Sequence, residues 1–409
     1  MRRVLWLCNL VLPDFSQEFK IKKNPYGGWM TGMLHELEGE SSLDIALCFP
    51  IMDESRLKNG NRNGHRYYTF LFEEDAVSYT EKMVSSFEKI VREEKPDIIH
   101  IWGTEYPHTA AMVEACERQG LLDRIVINIQ GLVSVCADHY LSGIPEQYRL
   151  TCQDGVNMED GVRMFQEKGR YEIESIRKVS HVMGRTDWDR ACVEAIHPGI
   201  QYHFCKEILK DIFYENAGKW KEKSCRRHSI FVSQASYPVK GFHYFLRALP
   251  IVINQFPDTR VYVAGRKLEN DSRDPYATYI ADMMEEYKVK DYITFVGKLD
   301  GEQMLRQYLD ANVFVSPSTI ENSSNSVCEA IMLGVPVIAS YVGGTGNLVV
   351  HGRQGFLYPY DEPAMLAYYI NTVFRGNWRD RQENVNNISG LNSKSDSRQQ
   401  LLNCYDSIR

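Results

Sequence analysis

The chain has 409 residues, 44% of them hydrophobic and 25% charged, with a formal net charge of −7 at neutral pH. That length exceeds what one hydrophobic core organises, so two domains are expected, and the acidic balance argues against nucleic acid as a partner, because a phosphate backbone is met by a basic face. Ten cysteines, several in apolar runs and none in a C-x-x-C pair, predict buried free thiols in a reducing cytosol rather than a disulfide framework or a zinc site.

The chain begins MRRVLWLCNLVLP, two arginines before a short apolar run. Asn9 interrupts the run and no small-residue cleavage pattern follows, so the segment reads as a first strand rather than a secretory signal. No other stretch approaches the ~20 apolar residues of a membrane span. A cytoplasmic protein is expected, with peripheral attachment to the inner membrane face left open. Lys20, Lys22 and Lys23 read as a solvated face, or else as a patch for an anionic acceptor or a membrane surface. Gly27 and Gly28 stand between the first strand and a helix, where missing side chains let backbone approach a ligand or simply make a turn.

Apolar runs at 4–10, 44–50, 97–103, 124–130 and 181–186 alternate with helical patterns such as 79–94, which predicts a parallel sheet covered by helices. Two strand-end loops carry groups able to touch a sugar: HIWGTEYPH, with His100, Glu105 and His108, and NIQGLVSVCADHY, with Gln130, Asp138 and His139. His100, ending an apolar strand, reads as a buried, satisfied histidine.

Over 201–227 the composition turns charged and aromatic, and this stretch is expected to connect two domains. A second series of strands starts with SIFVSQA at 229 and runs through RVYVAGR, YITFVG, NVFVSPST and VPVIAS to GFLYP. The expected division is 1–200, the connection 201–227, a second domain 228–375 and a polar tail 376–409. Within the second domain, Lys240 of YPVKGFHYFLRAL follows a strand and precedes a glycine and an amphipathic helix, a place from which an ammonium can reach a diphosphate; on its own it would read as solvated surface.

The richest stretch is SPSTIENSSNSVCEAIMLGVPVIASYVGG, residues 316–344. An apolar strand empties into a Ser/Thr/Pro loop, VCEAIMLG has helical spacing with Gly334 as its stop, and the next strand ends in Gly343 and Gly344. Open parallel sheets present ligand crevices in this way, at the carboxyl ends of their strands. The N–H groups of Ser323, Ser324, Asn325, Ser326 and Val327 and the positive helix end suit a phosphate, with Ser324, Asn325 or Ser326 as N-cap. Glu321 in the loop can accept from sugar hydroxyls, and Glu329, just over one turn into the helix, can chelate the two hydroxyls of a ribose. Neither role requires a perturbed pKa. Met in isolation, the two carboxylates would read as a surface-loop and an exposed helix residue.

Glu321, seven residues, Glu329, an alanine, an apolar run, Gly-x-Pro-Val-Ile-Ala and a Gly-Gly pair together resemble the donor-site signature of the retaining glycosyltransferases of family four, also called group 1. The resemblance covers most of the second domain and reaches the first through weaker motifs. It implies an α/β fold of the GT-B kind, two Rossmann-like domains with parallel sheets facing a central cleft, and a final helix crossing back to the first domain. It further implies a hexosyltransferase that moves a sugar from a nucleotide-diphosphate donor to an acceptor hydroxyl with retention, needing neither cofactor nor metal. A UDP-sugar is the leading donor and a GDP-sugar the alternative. Bacterial cell-surface polysaccharide or glycolipid assembly, on a carbohydrate or lipid-linked acceptor, is the implied setting.

Carried onto this sequence, the resemblance makes Glu321 and Lys240 the catalytic pair. It places Glu329, Asn322 and the helix start from Ser323 to Val327 on the donor, with Gly343 and Gly344 beside sugar and diphosphate. Val296, Gly297 or Lys298 would border the nucleobase, and Gly27 and Gly28 would lie near phosphates and acceptor. The acceptor-side candidates are Glu105, His108, Gln130 and His139. Two departures stand out. The arginine usual some six residues before the lysine is missing; Gln234 takes its place, so phosphate neutralisation falls on Lys240, the helix end or Arg266. Gln130 stands where many members have a histidine, and glutamine cannot usefully accept a proton near neutral pH. An epimerase of the same fold and a non-catalytic sugar-nucleotide-binding protein are the alternatives.

Overall fold

Short apolar runs, rich in β-branched residues, become strands buried on both faces, as expected where helices cover a parallel sheet. The computed structural model describes residues 1–22, 27–72, 77–149, 157–268, 274–376 and 393–408. They gather into two units: the described residues of 1–137, 164–208 and 392–409, and the described residues of 138–163 and 209–391.

In chain order the elements are β1 (Arg2–Leu7), α1 (Gly28–Glu36), β2 (Leu43–Ile51), β3 (Gly60–Arg62), β4 (His65–Leu71), α2 (Glu81–Glu94), β5 (Ile98–Trp102), α3 (Pro107–Glu117), β6 (Ile125–Asn128), α4 (Val133–His139), α5 (Glu146–Arg149), α6 (Met158–Lys178), β7 (His181–Gly184), α7 (Asp187–Ile196) and β8 (Gln201–Phe204). The strands form one sheet in the order β3-β4-β2-β1-β5-β6-β7-β8, parallel except where β3 pairs antiparallel with β4. Its core includes Leu5, Leu7, Ile99, Ile101, Ile127 and Val182. Thr80 caps α2 by accepting from the Met83 N–H, and Met83, Val84, Phe87, Ile90 and Val91 form the buried stripe of that helix.

The second unit contains α8 (Asp211–Glu215), β9 (Ser229–Val232), α9 (Phe242–Gln255), β10 (Arg260–Ala264), α10 (Pro275–Glu286), β11 (Ile293–Gly297), α11 (Gly301–Asp310), β12 (Val313–Ser316), α12 (Asn325–Leu333), β13 (Val337–Ser340), β14 (Gly355–Tyr358) and α13 (Pro363–Phe374). Its parallel sheet has the order β11-β10-β9-β12-β13-β14. Phe242, Phe245, Leu249 and Ile370 pack in one cluster, and Phe231, Tyr308, Phe314 and Leu333 in another.

Two stretches differ from the sequence expectation. The stretch 201–227, read as a connection, holds edge strand β8 of the first sheet and, from Leu209 on, core of the second unit. Leu209, Phe213 and Trp220 are buried there, and the Trp220 indole N–H donates to the Ala311 carbonyl at 2.8 Å. The segment 138–163, expected inside the first domain, belongs to the second unit. Ile144 and Met158 enter its core, His243 Nε2 lies 2.9 Å from the Ser142 carbonyl, Arg247 donates to the Gly143 carbonyl, and the Tyr148 hydroxyl donates to Asp282. Of the tail 376–409, residues 377–392 and 409 lie outside the described residues, and its last helix, α14 (Lys394–Ser407), belongs to the first unit, as the expected return of the final helix requires. There Tyr405 is buried, accepting from the Trp6 indole and meeting His100 Nδ1, each at 2.8 Å. Burial pushes His100 down to about 3, so it stays a neutral core histidine.

Candidate functional site at the strand ends of the second sheet

Parallel strands bring all their carboxyl ends to one edge of the sheet, so loops far apart in sequence meet there. Gln234 and Lys240 follow β9, Arg266 follows β10, Val296 and Gly297 end β11 before Lys298, Glu321 follows β12, and Gly343 and Gly344 follow β13. The strand order reverses between β9 and β12, the topological position at which open α/β sheets hold ligands. Lys240 and Glu321 come from the two loops flanking that reversal.

Two glycines let these loops close on each other. Gly241 has φ +65°, and a Cβ there would sit 1.9 Å from the Pro317 carbonyl oxygen. Gly343 has φ +49°, and its Cβ would sit 2.0 Å from the Glu321 carbonyl oxygen, which accepts from the Gly344 N–H at 3.0 Å. The Thr319 N–H donates to the Val239 carbonyl at 2.9 Å, and the Ser340 hydroxyl to the Ser318 carbonyl at 2.5 Å. The Glu321 backbone is therefore held by Gly343 and Gly344, and the loop leading to it by Val239, Gly241 and Ser340. Its Oε2 accepts from Lys240 Nζ at 2.8 Å, with the Ser318 hydroxyl 3.4 Å away on the same oxygen. The two charged side chains are only 20% and 18% exposed.

Behind this pair, Ser324 is the N-cap of α12 and accepts from the Val327 N–H at 3.4 Å, while Gly334 ends the helix at φ +85°. Val327, expected to offer its N–H to an anion, instead spends it on the cap, because the helix start needs an internal acceptor where none precedes it. Glu329 was expected to need no perturbed pKa, but its carboxyl sits in a dense surround. Burial pushes it up to about 7, against the opposing pull of the Tyr308 hydroxyl and Lys210. Tyr308, itself buried, donates to Glu329 Oε2 at 2.9 Å and also lies 3.1 Å from the Ser326 carbonyl. Neither Tyr308 nor Lys210 was picked out from the sequence. Tyr308 lies in α11, 21 residues from its partner, and Lys210 falls in the stretch read as a connection.

Arg266, proposed for the phosphates, is occupied: its guanidinium pairs with Asp274, the N-cap of α10, and its N–H donates to Ser236 Oγ at 3.2 Å. Gly265 lies against Gln234, which brings the β9 and β10 loops together. Asn322 is buried, Ser323, Ser324, Asn325 and Ser326 are half-buried, and Lys298 is exposed.

The first-unit candidates are more scattered in kind. Gly27 is the N-cap of α1 at φ +84°, a backbone conformation that calls for glycine whatever the ligand, and a Cβ there would meet the end of the Leu10 side chain at 2.7 Å; Gly28 is the first residue of α1. Lys20 and Lys22 are exposed, and Lys23 lies outside the described residues. Glu105 follows β5; burial pushes it up to about 7, and its Oε2 has no hydrogen-bond partner among the described residues. His108, the second residue of α3, packs against Phe70, Phe72 and Tyr106, and burial pushes it down to about 3. The Gln130 amide donates to Asn128, and its carbonyl accepts from Arg185. Asp138 and His139 belong to the second unit, where the His139 carbonyl accepts from the Thr319 hydroxyl at 3.4 Å.

Among the described residues no group of three or more His, Cys, Asp or Glu side chains is placed to hold a metal ion, and no helix is long and apolar enough to cross a membrane. The described cysteines, all except Cys152, are free thiols.

Residues 226–375 match the family model described as glycosyl transferases group 1. An uncharacterized glycosyltransferase of Methanocaldococcus jannaschii is 30% identical over 179 residues, 41% of this chain and 43% of that protein. A glycogen synthase of Mycobacterium tuberculosis is 28% identical over 144 residues, 35% of this chain and 33% of that one. The match thus spans less than half the length of these relatives. Two solved structures extend the likeness to the whole fold. Sucrose-phosphate synthase from Thermosynechococcus elongatus superposes with a TM-score of 0.72 at 16% identity, covering 100% of this chain and 99% of that one. HepE of Anabaena, in complex with UDP and glucose, superposes with a TM-score of 0.68 at 15% identity and full coverage of both chains. The fold is GT-B, with two Rossmann-like units.

Proposed function

We propose that this chain is a glycosyltransferase that moves a hexose from a nucleotide-diphosphate donor to an acceptor hydroxyl with retention and without a metal. The observation that carries the reading is the ion pair of Lys240 and Glu321 across the strand-order reversal, with Glu329 and the start of α12 in the same loop system. In this reading the phosphates lie on Lys240 and the N–H groups at the start of α12 ahead of Val327, the ribose hydroxyls on Glu329, and the sugar hydroxyls on Glu321. Lys240 stabilises negative charge on the departing diphosphate, a task that falls to a metal in other designs. The carbon–oxygen bond to the diphosphate breaks as the acceptor oxygen arrives on the same face, and the leaving phosphate takes the acceptor proton.

The UDP bound to HepE makes a UDP-sugar the first donor to try, with GDP-sugars next. Glu105 and Gln130 are the first-unit groups assigned to a carbohydrate or lipid-linked acceptor, and a cytoplasmic enzyme working at a membrane face in surface-polysaccharide or glycolipid assembly fits that chemistry. Thermal stabilisation by UDP-, GDP-, ADP- and TDP-sugars in EDTA tests the donor site. One donor is expected to raise the melting temperature of the native protein and to lose that effect in Lys240→Ala; stabilisation that appears only with added metal overturns the metal-free reading. Anomeric NMR of the first product then tests retention, and an inverted product overturns it.

A second reading, a sugar-nucleotide-binding protein without turnover, is favoured by one observation: Gln234 stands where the arginine is missing, and Arg266 is already matched by Asp274. Tight donor binding with no product from any acceptor supports that reading instead.

A further inference from the structure

We infer that Glu321 is a specificity device that selects the intact nucleotide sugar over the spent nucleotide by competing for Lys240. This rests on the donor-site reading above. Glu321 Oε2 accepts from Lys240 Nζ at 2.8 Å with both side chains about four-fifths buried, so the lysine meets an arriving phosphate already paired with a carboxylate. The backbone that carries Glu321 is held in place: its carbonyl accepts from the Gly344 N–H and is abutted by Gly343, and the loop on its other side is pinned through Ser318 to Ser340. Any phosphate that draws Lys240 to itself therefore leaves a largely buried carboxylate on a restrained loop close to an anion.

The two ligands repay that cost differently. A nucleotide sugar brings hydroxyl donors to the carboxylate that has lost its lysine, and its terminal phosphate is esterified. A nucleoside diphosphate has no hexose to bring hydroxyls to Glu321, its ribose hydroxyls lying on Glu329, and its free terminal phosphate carries extra negative charge, so Glu321 is left unpaired beside like charge. The pair thus lowers affinity for the spent nucleotide more than for the donor, and product leaves as the ion pair re-forms.

Calorimetric titration of UDP and UDP-glucose, in EDTA and without acceptor, on native protein, Glu321→Gln and Lys240→Ala tests this. Glutamine keeps the size and the Ser318 contact while removing the charge. Glu321→Gln is expected to bind UDP more tightly than native protein and to shift the ratio of UDP to UDP-glucose affinity by on the order of tenfold towards UDP. Lys240→Ala is expected to weaken both ligands. An unchanged ratio in Glu321→Gln, with UDP binding intact and sensitive to Lys240, overturns the inference and leaves the donor site standing. Absence of binding by native protein, repeated with the GDP, ADP and TDP pairs, overturns the donor-site reading itself. Melting curves of each variant separate a folding defect from a binding defect, and Glu321→Asn gives a second neutral side chain in which the same ratio shift is required.

Discussion

Glu329, the carboxylate proposed to hold the ribose hydroxyls, carries a cost to the fold. Its folded-state value of about 7 lies above the ordinary 4.5 because burial disfavours the charge. Between pH 4.5 and about 7 the folded protein therefore holds the proton more tightly than the unfolded chain, and stability from this residue falls as pH rises through that window. The loss is complete above about pH 7 and absent below about 4.5. Glu329→Gln removes the titration, so the variant is expected to melt close to native protein at pH 5 but a few degrees higher at pH 8, corresponding to about 2 kcal/mol. The same variant is expected to lose stabilisation by a nucleotide sugar, since an amide does not accept from two ribose hydroxyls as a carboxylate does. Glu105 titrates in the same window but is common to both proteins, so the difference isolates Glu329. A pH-independent difference would sink the argument.

At the level of elements, the site depends on loops that touch more than on helix ends. Gly241→Ala puts a Cβ 1.9 Å from the Pro317 oxygen at φ +65°, which forces the β9 and β12 loops apart and is expected to cost at least ~3 kcal/mol and abolish nucleotide binding. Ser324→Ala removes only the cap of α12, at about 1 kcal/mol, and should leave nucleotide binding measurable. Melting curves with and without UDP check both; equal effects would mean that the helix start rather than loop contact sets the site. This contrast also marks what the sequence could say. The strands of the second sheet, Glu321 in the loop after β12, and the cap, stop and glutamate of α12 are local patterns, and each was readable. The Lys240–Glu321 pair joins residues 81 apart, and the Glu329–Tyr308 bond and the occupied Arg266 likewise depend on which loops the sheet order brings together. The segment 138–163 was assigned to the wrong side for the same reason: its partners His243, Arg247 and Asp282 lie 101, 104 and 134 residues from the groups they meet, and nothing in its own pattern names them. β8 was missed because a four-residue edge strand, QYHF, exposed along much of its length, carries little apolar signal.

For the whole molecule, two units with separate cores imply two unfolding events that can be moved independently. In the first, Tyr405 of α14 satisfies the buried Trp6 indole and meets His100, so the end of the chain closes the core around its first strand. Tyr405→Phe keeps the ring but leaves the Trp6 N–H without its acceptor, which is expected to cost about 1–3 kcal/mol and to lower the transition of the first unit by several degrees. UDP, if bound at the strand ends of the second sheet, adds its binding free energy to the other unit alone and raises that transition with concentration. Scanning calorimetry of native protein and Tyr405→Phe, each with and without UDP, should then resolve two transitions, one answering to the substitution and the other to the nucleotide. If both perturbations move a single transition together, the units unfold as one cooperative body, and the stability cost of Glu329 is drawn from the whole chain rather than from the unit that carries it.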